Sequence, residues 1–522
     1  MDLVRRERPT EVGASMTDRR RQRHPAPQGA ADARALSAQP RAVVIGGGIA
    51  GLTAATALAE RGIHVEVVEK EGYLGGRVGG WTEFHDGAEF PMNRGFHAFF
   101  RQYYNLRALL GRIDPQLRML TPVDDYPLID GAGRRDTFRG LPRTPPWNAL
   151  MFALRSPTFR LQDLVRMDAR AAAPLATVSV PDTYHQLDHL DAETFLKNIN
   201  FPESARHLAF EVFSRSFFAE PSQLSAGELA TMFHIYFLGS SEGLIFDVVN
   251  ANFDAGLWNP LRDYLSARGV RFSMNTSVRR VDTVGTAGFR VQTDAGDPID
   301  ADAVVLATDV AGLQAVSAES ASLGNSLWHD QIRQLRNAPP FVVHRLWLDR
   351  PVTSDRPAFI GTSGHEPLDN ISVLDRYESQ AAAWASRHRG SVVELHSYAM
   401  NSAAGSEQGV QQLHKLYPET ASANVVYERV LQRNDCPLLA PGTYTHRPHI
   451  VTPQPGLVLA GDGIRVDLPV ALMERAATTG WLAANHLLTG WGLAGHDLYT
   501  VPTRGRSALL RSLALRQQSA TP

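Results

Sequence analysis

Short apolar runs and glycines follow one another closely in RAVVIGGGIAGLTAATALAERGIHVEVVEK, residues 41–70. The pattern predicts a buried strand at 42–45, a turn at 46–51, an alanine-rich helix at 52–61 and a second strand at 64–69. A similar apolar run returns at 457–460, ahead of a helix expected around 470–487. Residues 269–296, GVRFSMNTSVRRVDTVGTAGFRVQTDAG, read as strands separated by turns, followed by DAVVLATDV. The span 131–254 reads mainly helical, with DAETFLKNIN opening on an Asp cap and FPESARHLAFEVFSRSFF carrying apolar positions at helical spacing. The span 313–440 contributes strands such as FVVHRLWLD and SVVELHSYA.

With 522 residues, 43% of them hydrophobic, length alone suggests several domains unless distant segments interleave. A net charge of −2 gives no bulk cationic field for nucleic acid or anionic lipid. The lone cysteine, Cys436, excludes an intrachain disulfide and a CxxC centre, which fits a reducing cytosol. Residues 1–40 are rich in Arg, Ala, Pro and Gln and read as a disordered extension. No run reaches the roughly 18 apolar residues of a spanning helix, so any membrane contact is expected to be peripheral. Two amphipathic candidates for it are PPWNALMFALRSPTFRLQDLVRM at 145–167 and SALLRSLALRQQ at 507–518, each also readable as ordinary packing or a frayed tail.

Candidate chemistry changes the picture most at the first turn. Gly46, Gly48 and Gly51 occupy the three glycine positions of GxGxxG between a strand and a helix, enclosing Ile49 and Ala50, and Glu69 follows Gly51 by 18 residues. That order suits a dinucleotide: a tight turn, close backbone approach to pyrophosphate, helix amides facing phosphate, and an acid for a ribose hydroxyl. Lys70 adjoins that acid. YLGGRVGGW then adds a second flexible loop, with Gly75, Gly76 and the fixed cation Arg77. HQLDH (185–189) and THRPH (445–449) lack a supporting cysteine or carboxylate cluster, so no metal is expected, and GxSxG and P-loop patterns are absent.

The GGR loop resembles that of the amine oxidase and carotenoid desaturase flavoproteins, and on that likeness the cofactor is FAD rather than NAD. The likeness carries further residues: Asp462 in LAGDGIRVDLPVALMERA near the flavin's ribityl and phosphate groups, Met473 beside Glu474 in a Met-Glu pair, and Val278 at the adenine. It implies an α/β fold, a Rossmann-like FAD domain from 41–130, 255–312 and 441–490, a mixed α+β substrate domain from 131–254 and 313–440, and a tail at 491–522.

The stretch MNRGFHAFFRQYYNLRALL, with AEPSQLSAGELATMF, resembles plant-type phytoene and zeta-carotene desaturases, and most of all the bacterial carotenoid ring-aromatising enzymes, the φ-ring synthases. That resemblance implies desaturation of the β-ionone rings of β-carotene with an intramolecular 1,2-methyl shift, since no second glycine-rich nucleotide loop is present for a methyl donor. Phe96, Phe99, Phe100, Tyr103 and Tyr104 are the candidate substrate walls, by apolar exclusion of water and cation–π attraction. His97 is the first candidate base, Glu89 and Asp86 are alternatives, and Arg94 a cation for flavin or a carboxylate. FHIYFLGSSEGLIF (233–246) suits an apolar substrate or a core element equally. Other flavin oxidations (linear carotene desaturation, amine or protoporphyrinogen oxidation), a carotenoid isomerase and a non-enzymatic isoprenoid carrier are the alternatives. The sequence names no electron acceptor. Localisation is expected at the cytoplasmic face of a membrane, by peripheral contact.

Overall fold

In the computed structural model the run RAVVI becomes the central strand of a five-stranded parallel sheet. The structure describes residues 18–508 and 511–512, apart from 124, 159–161, 163–165, 203–216, 243, 286–287 and 401–404. The sheet's strands are β1 (Arg41–Ile45), β2 (His64–Val68), β3 (Arg271–Ser273), β4 (Ala303–Leu306) and β5 (Leu457–Leu459). They lie in the order β3-β2-β1-β4-β5 with every pairing parallel. This is the doubly wound dinucleotide order, with ligands expected at the carboxyl ends of the strands. Three helices matter to the site: α1 (Ile49–Ala59), α2 (Tyr104–Leu110) and α3 (Leu472–Gly490).

Helix α1 starts at Ile49, three residues before the expected position, with Gly48 as its N-cap. Ile49, Ala50 and Gly51 therefore form its first turn, which brings their free amides to the end of β1. Every residue of α1 is buried, because the helix lies between the sheet and α3. Its alanines and glycine permit that approach: a Cβ on Gly480 of α3 would stand 2.3 Å from the Ala50 carbonyl oxygen. A three-stranded antiparallel meander, Val278–Val284, Gly288–Thr293 and Ile299–Ala301, connects β3 to β4.

A second sheet has seven strands, in the order Val425–Arg433, Phe341–Leu348, Ser391–Ser397, Asn370–Val373, Phe359–Thr362, Leu128–Ile129 and Arg135–Asp136. The second, third and fourth strands, Phe341–Leu348, Ser391–Ser397 and Asn370–Val373, are buried throughout. Short helices between 173 and 233 pack on one another, including Ala192–Asn198, whose cap Asp191 accepts the Thr194 amide at 2.8 Å. The fold is thus a Rossmann-like α/β unit built from separated segments, with a mixed α+β insert.

Two expectations need correction. Residues 18–40 are ordered, and residues 498–500 are no free tail: Gln22–His24 pairs antiparallel with Leu498–Thr500. The buried Asp18 carboxylate accepts from the Ser241 amide at 2.6 Å and from Arg506 at 2.5 Å. Each segment supplies the other's backbone partners, a long-range saturation that local composition cannot report. Residues 1–17, 203–216 within FPESARHLAFEVFSRSFF, and most of the 507–518 amphipathic candidate lie outside the described residues.

Candidate active site

At the end of β1 the three fingerprint glycines have distinct tasks. Gly46 sits at φ +109°, and a Cβ there would meet the Ala307 oxygen at 2.5 Å; one on Gly51 would meet the Gly46 oxygen at 1.9 Å. Gly48 faces open space apart from Gly76 Cα, 3.8 Å from where its Cβ would be. The GGR loop docks on this turn, with the Gly75 amide donating to the Gly47 oxygen at 2.8 Å. Gly75, at φ +94°, has no room for a side chain, because a Cβ would fall 2.1 Å from the Trp258 indole nitrogen. The fingerprint and the GGR loop therefore form one glycine surface.

A cavity of about 690 Å³ begins on that surface. Gly46, Gly48, Ile49 and Ala50 line it, as do Glu69, Lys70 and Val278. Gly51 does not; its place is beneath the turn, against β1. Glu69 accepts the Gly47 amide at 2.6 Å and the Glu71 amide at 2.8 Å, and burial pushes its carboxyl up despite those bonds. Lys70 pairs with Asp309 at 3.1 Å. Further along, Gly76, Arg77, Asp462 and Met473 line the same cavity. Arg77 forms an ion pair with Asp462, joining the GGR loop to the loop after β5. The Gly461 amide, next to that aspartate, donates to Thr479 Oγ1 of α3 at 2.9 Å. Cavity-lining Thr308 Oγ1 and Asp435 Oδ1 are buried without a protein partner. A glycine cradle, a buried acid, an ion pair and unpartnered oxygens together fit a phosphate-rich, ribose-bearing ligand.

Glu474 takes a different direction from Met473. It is fully enclosed, and its two oxygens accept the Asn105 and Leu106 amides at 2.9 Å each, capping α2. Burial outweighs those bonds and pushes its carboxyl up to about 8. The side chain thus anchors the segment GFHAFFRQYYN to α3, the helix that follows the Asp462 loop.

The far end of the cavity is aromatic. Phe96, Phe100 and Tyr103 line it, together with Tyr236 and Phe246 from the run FHIYFLGSSEGLIF. Phe96 stacks on Phe359 at 4.3 Å, Phe100 lies 4.7 Å from Tyr236, and the Tyr103 and Tyr236 hydroxyls are 2.5 Å apart. His97 and Arg94 line the cavity where the aromatic and glycine ends meet. Arg94 pairs with Asp435 at 2.5 Å. His97 Nδ1 lies 2.9 Å from the Gly95 oxygen, so the ring proton sits on Nδ1 and the Nε2 lone pair is available. Burial, opposed by that bond, lowers His97 to about 4 and keeps it neutral.

Besides Gly51, four expected site residues lie elsewhere. Phe99 is buried against Phe253, and Tyr104 is buried as the first residue of α2; neither lines the cavity. Glu89 and Asp86 are exposed on the hairpin of Gly80–His85 and Ala88–Asn93, whose tight turn puts Asp86 at φ +48°. The Asp-Gly pair at 86–87 is a hairpin signal that sends Glu89 outward and Phe90 and Met92 inward. Sequence reasoning missed His396 and Tyr398, which line the cavity, and Glu394 behind them. Their spacing in SVVELHSYA was the available signal, since polar residues two apart in an apolar strand share one face.

A flavin-dependent oxidoreductase is the class this fold and cavity define. The chain belongs to the flavin-containing amine oxidoreductase family, whose profile matches residues 49–488. Among curated proteins it is similar to the carotenoid phi-ring synthase of Streptomyces griseus, 55% identical over 94% of this chain and 95% of that protein. It is also similar to the carotenoid phi-ring synthase of Chlorobaculum tepidum, 26% identical over 91% of this chain and 92% of that protein. Cyclohexylamine oxidase from Brevibacterium oxydans shares the fold, with a TM-score of 0.63 at 14% identity over 87% of this chain and 100% of the other.

Proposed function

We propose that the protein is an FAD-dependent carotenoid oxidoreductase that converts the β-ionone rings of β-carotene into aromatic, φ-type rings. The observation that carries the reading is its 55% identity, over nearly the whole chain, to a carotenoid phi-ring synthase. The cavity is consistent with it: glycines and an ion pair at one end, and an aromatic end where a hydrocarbon ring can lie. FAD, rather than a shorter flavin, suits a cavity that reaches Glu69 and Val278 at the nucleotide end.

Aromatising one β-ring removes four hydrogens, as two hydrides and two protons, and moves one methyl to the neighbouring carbon. The flavin, when bound, supplies the two-electron acceptor for each oxidation. The chain's own residues do the rest. Gly46, Gly48 and the first turn of α1 receive the pyrophosphate, Glu69 the ribose, and Arg77 with Asp462 the flavin's polar chain. Phe96, Phe100 and Tyr103 exclude water that would capture a cation, and their ring faces stabilise positive charge. His97 Nε2 takes a proton. A ring cation is so strong an acid that a base weakened by burial suffices, and a neutral imidazole does not repel it.

On this reading the substrate reaches the aromatic end of the cavity from a membrane surface. Helix Trp147–Arg155 exposes Trp147 (59%), Leu150 (43%) and Leu154 (48%) while burying Phe152. Phe152 stacks on Phe138 at 4.8 Å, Phe138 on Tyr126 at 4.3 Å, and Tyr126 meets cavity-lining Phe246 at 4.7 Å. An interfacial helix thus backs onto the aromatic end of the cavity. Among the described residues no helix is long and apolar enough to cross a membrane.

The test is β-carotene fed to cells expressing the protein, with carotenoids read by absorbance and mass. The expected product has lost four hydrogens per ring with no change in carbon number. Unchanged β-carotene, or desaturation confined to linear carotenes, overturns the reading. A gained carbon overturns the intramolecular shift.

A further inference from the structure

The two protons lost from each ring leave different ring carbons, whereas His97 presents one lone pair. The structure assigns a second proton acceptor: we propose that Tyr398 takes the second of the two protons through a relay to His396, held in place by Glu394 and Arg345. The proposal rests on the ring-aromatising reading.

The donor and acceptor pattern of the network fixes its direction. Arg345 donates from Nε to Glu394 Oε2 at 2.9 Å, and its Nη2 lies 2.8 Å from the same oxygen. Burial would raise the Glu394 carboxyl, but Arg345 and His396 outweigh it and hold it down at about 2, so it is an acceptor only. Its free oxygen, Oε1, lies 2.8 Å from His396 Nε2, which must therefore carry the proton. The Phe96 amide is 3.1 Å from that same Nε2 and competes for it. The carboxylate wins, because a charge-assisted bond is roughly twice as strong as a neutral one and an unprotonated Nε2 would set two lone pairs face to face. With Nε2 protonated, Nδ1 accepts, and the Tyr398 hydroxyl, 2.7 Å away, donates to it. Asn370 Nδ2 donates to the Tyr398 oxygen at 3.1 Å and fixes its position.

Tyr398 and His396 line the cavity, whereas Arg345 and Glu394 are sealed behind them at 1% and 0% exposure. Ion pairs so deep in a sheet are poor stabilisers compared with apolar packing, which argues for a use beyond stability. The step balances as follows. A C–H bond of the ring cation breaks, and its electron pair becomes the ring double bond. The proton goes to the Tyr398 oxygen as the phenol proton passes to His396 Nδ1, leaving an imidazolium against Glu394. The flavin is the two-electron oxidant of that turn. Burial raises the Tyr398 phenol, which rules for a concerted transfer without a standing phenolate. A charge on His396 also disfavours one on His97. Tyr398 is the catalytic residue of this step; His396, Glu394 and Arg345 are positioning residues.

Tyr398→Phe and His396→Gln, each purified with its flavin, are to be given β-carotene alongside the wild type. Expected is accumulation of rings short of two hydrogens rather than four, with completion of the ring slowed about 10²-fold, the low end for loss of a general base. Flavin absorbance stays at the wild-type ratio to protein. Full aromatisation at the wild-type rate by Tyr398→Phe overturns the proposal. So does uniformly slower β-carotene consumption without a partly oxidised ring in both variants, the mark of a structural role. A wild type that forms no aromatic ring overturns the underlying reading, and the relay with it.

Discussion

Gly480 sits in the middle of α3, where an alanine would ordinarily be preferred by about 1 kcal/mol. The contact with α1 reverses that preference. A Cβ at this position would lie 2.3 Å from the Ala50 oxygen and 2.8 Å from Thr53 Cβ. Both belong to α1, which is buried along its whole length, so the two helices must separate by roughly 1 Å to reach ordinary contact. Overpacking of a core costs about 1–3 kcal/mol, and a backbone carbonyl cannot rotate away as a side chain does, which places this case at the upper end. Set against the helix-propensity gain, Gly480→Ala is expected to destabilise by about 2 kcal/mol. Because Ala50 lines the cavity in the first turn of α1, the same displacement moves the amides that, on the proposed reading, receive the pyrophosphate. The variant should therefore show a lower thermal midpoint and a lower ratio of flavin absorbance to protein. Gly490→Ala, at the end of the same helix with open space around its Cβ, is the control and should lose neither. A Gly480→Ala protein with wild-type midpoint and full flavin would refute the close-packing argument.

Glu228, buried between Arg475 at 2.6 Å and Arg447 at 2.7 Å, is pushed up by burial but held down at about 2 by the two arginines. Its stabilisation is present above the unfolded carboxyl value and lost as pH falls from about 4.5 toward 2; Glu228→Gln should cost about 3–5 kcal/mol at pH 7 in a denaturant titration and flatten that acid limb. His97, lowered to about 4, binds fewer protons folded than unfolded, so its contribution weakens stability as pH falls from about 6.5 toward 4. The acid limb of ring aromatisation should lie near 4, and a limb at 6.5 would remove His97 as the base. Replacing Trp147, Leu150 and Leu154 together by Ser should weaken binding to phosphatidylglycerol vesicles about 100-fold, at roughly 1 kcal/mol per partly buried side chain. Sedimentation with the vesicles measures it, and unchanged binding would move the docking face elsewhere.

The first βαβ unit was legible because its signals are local: β-branched runs, glycines at fixed offsets and an acid at the end of β2. Even there the helix start was misplaced, since Ile49 and Ala50 satisfy both a turn reading and the first turn of α1. Convergence of β3, β4 and β5 on the same sheet came from resemblance, not from periodicity. The order at residues 18–40 was illegible because its partners are about 480 residues away in sequence, as in the pairing of Gln22 with Thr500. Glu89 was misjudged by weighing a carboxylate's chemistry ahead of the Asp-Gly turn beside it. The opposite error hid Glu394, His396 and Tyr398, whose strand was read for its apolar residues alone.

The aromatic segment joins these lessons to the chemistry. Its rings divide between core and cavity, and polar contacts decide the division. Glu474 caps α2 from α3, Asn105 donates to Thr478 Oγ1 at 2.8 Å, and Arg107 holds the Phe99 oxygen at 3.1 Å while pairing with buried Asp247. Fixed in this way, Phe96 and Phe100 present their rings to the cavity and His97 presents Nε2. On the mechanism proposed above, the burial that weakens His97 as a base is the same burial that keeps water from a ring cation. A more solvated histidine would hold a proton more firmly, but near neutral pH it would often be charged already, and water would reach the cation beside it. On that mechanism weak basicity follows from the dryness the reaction needs, and the acidity of the cation makes it sufficient.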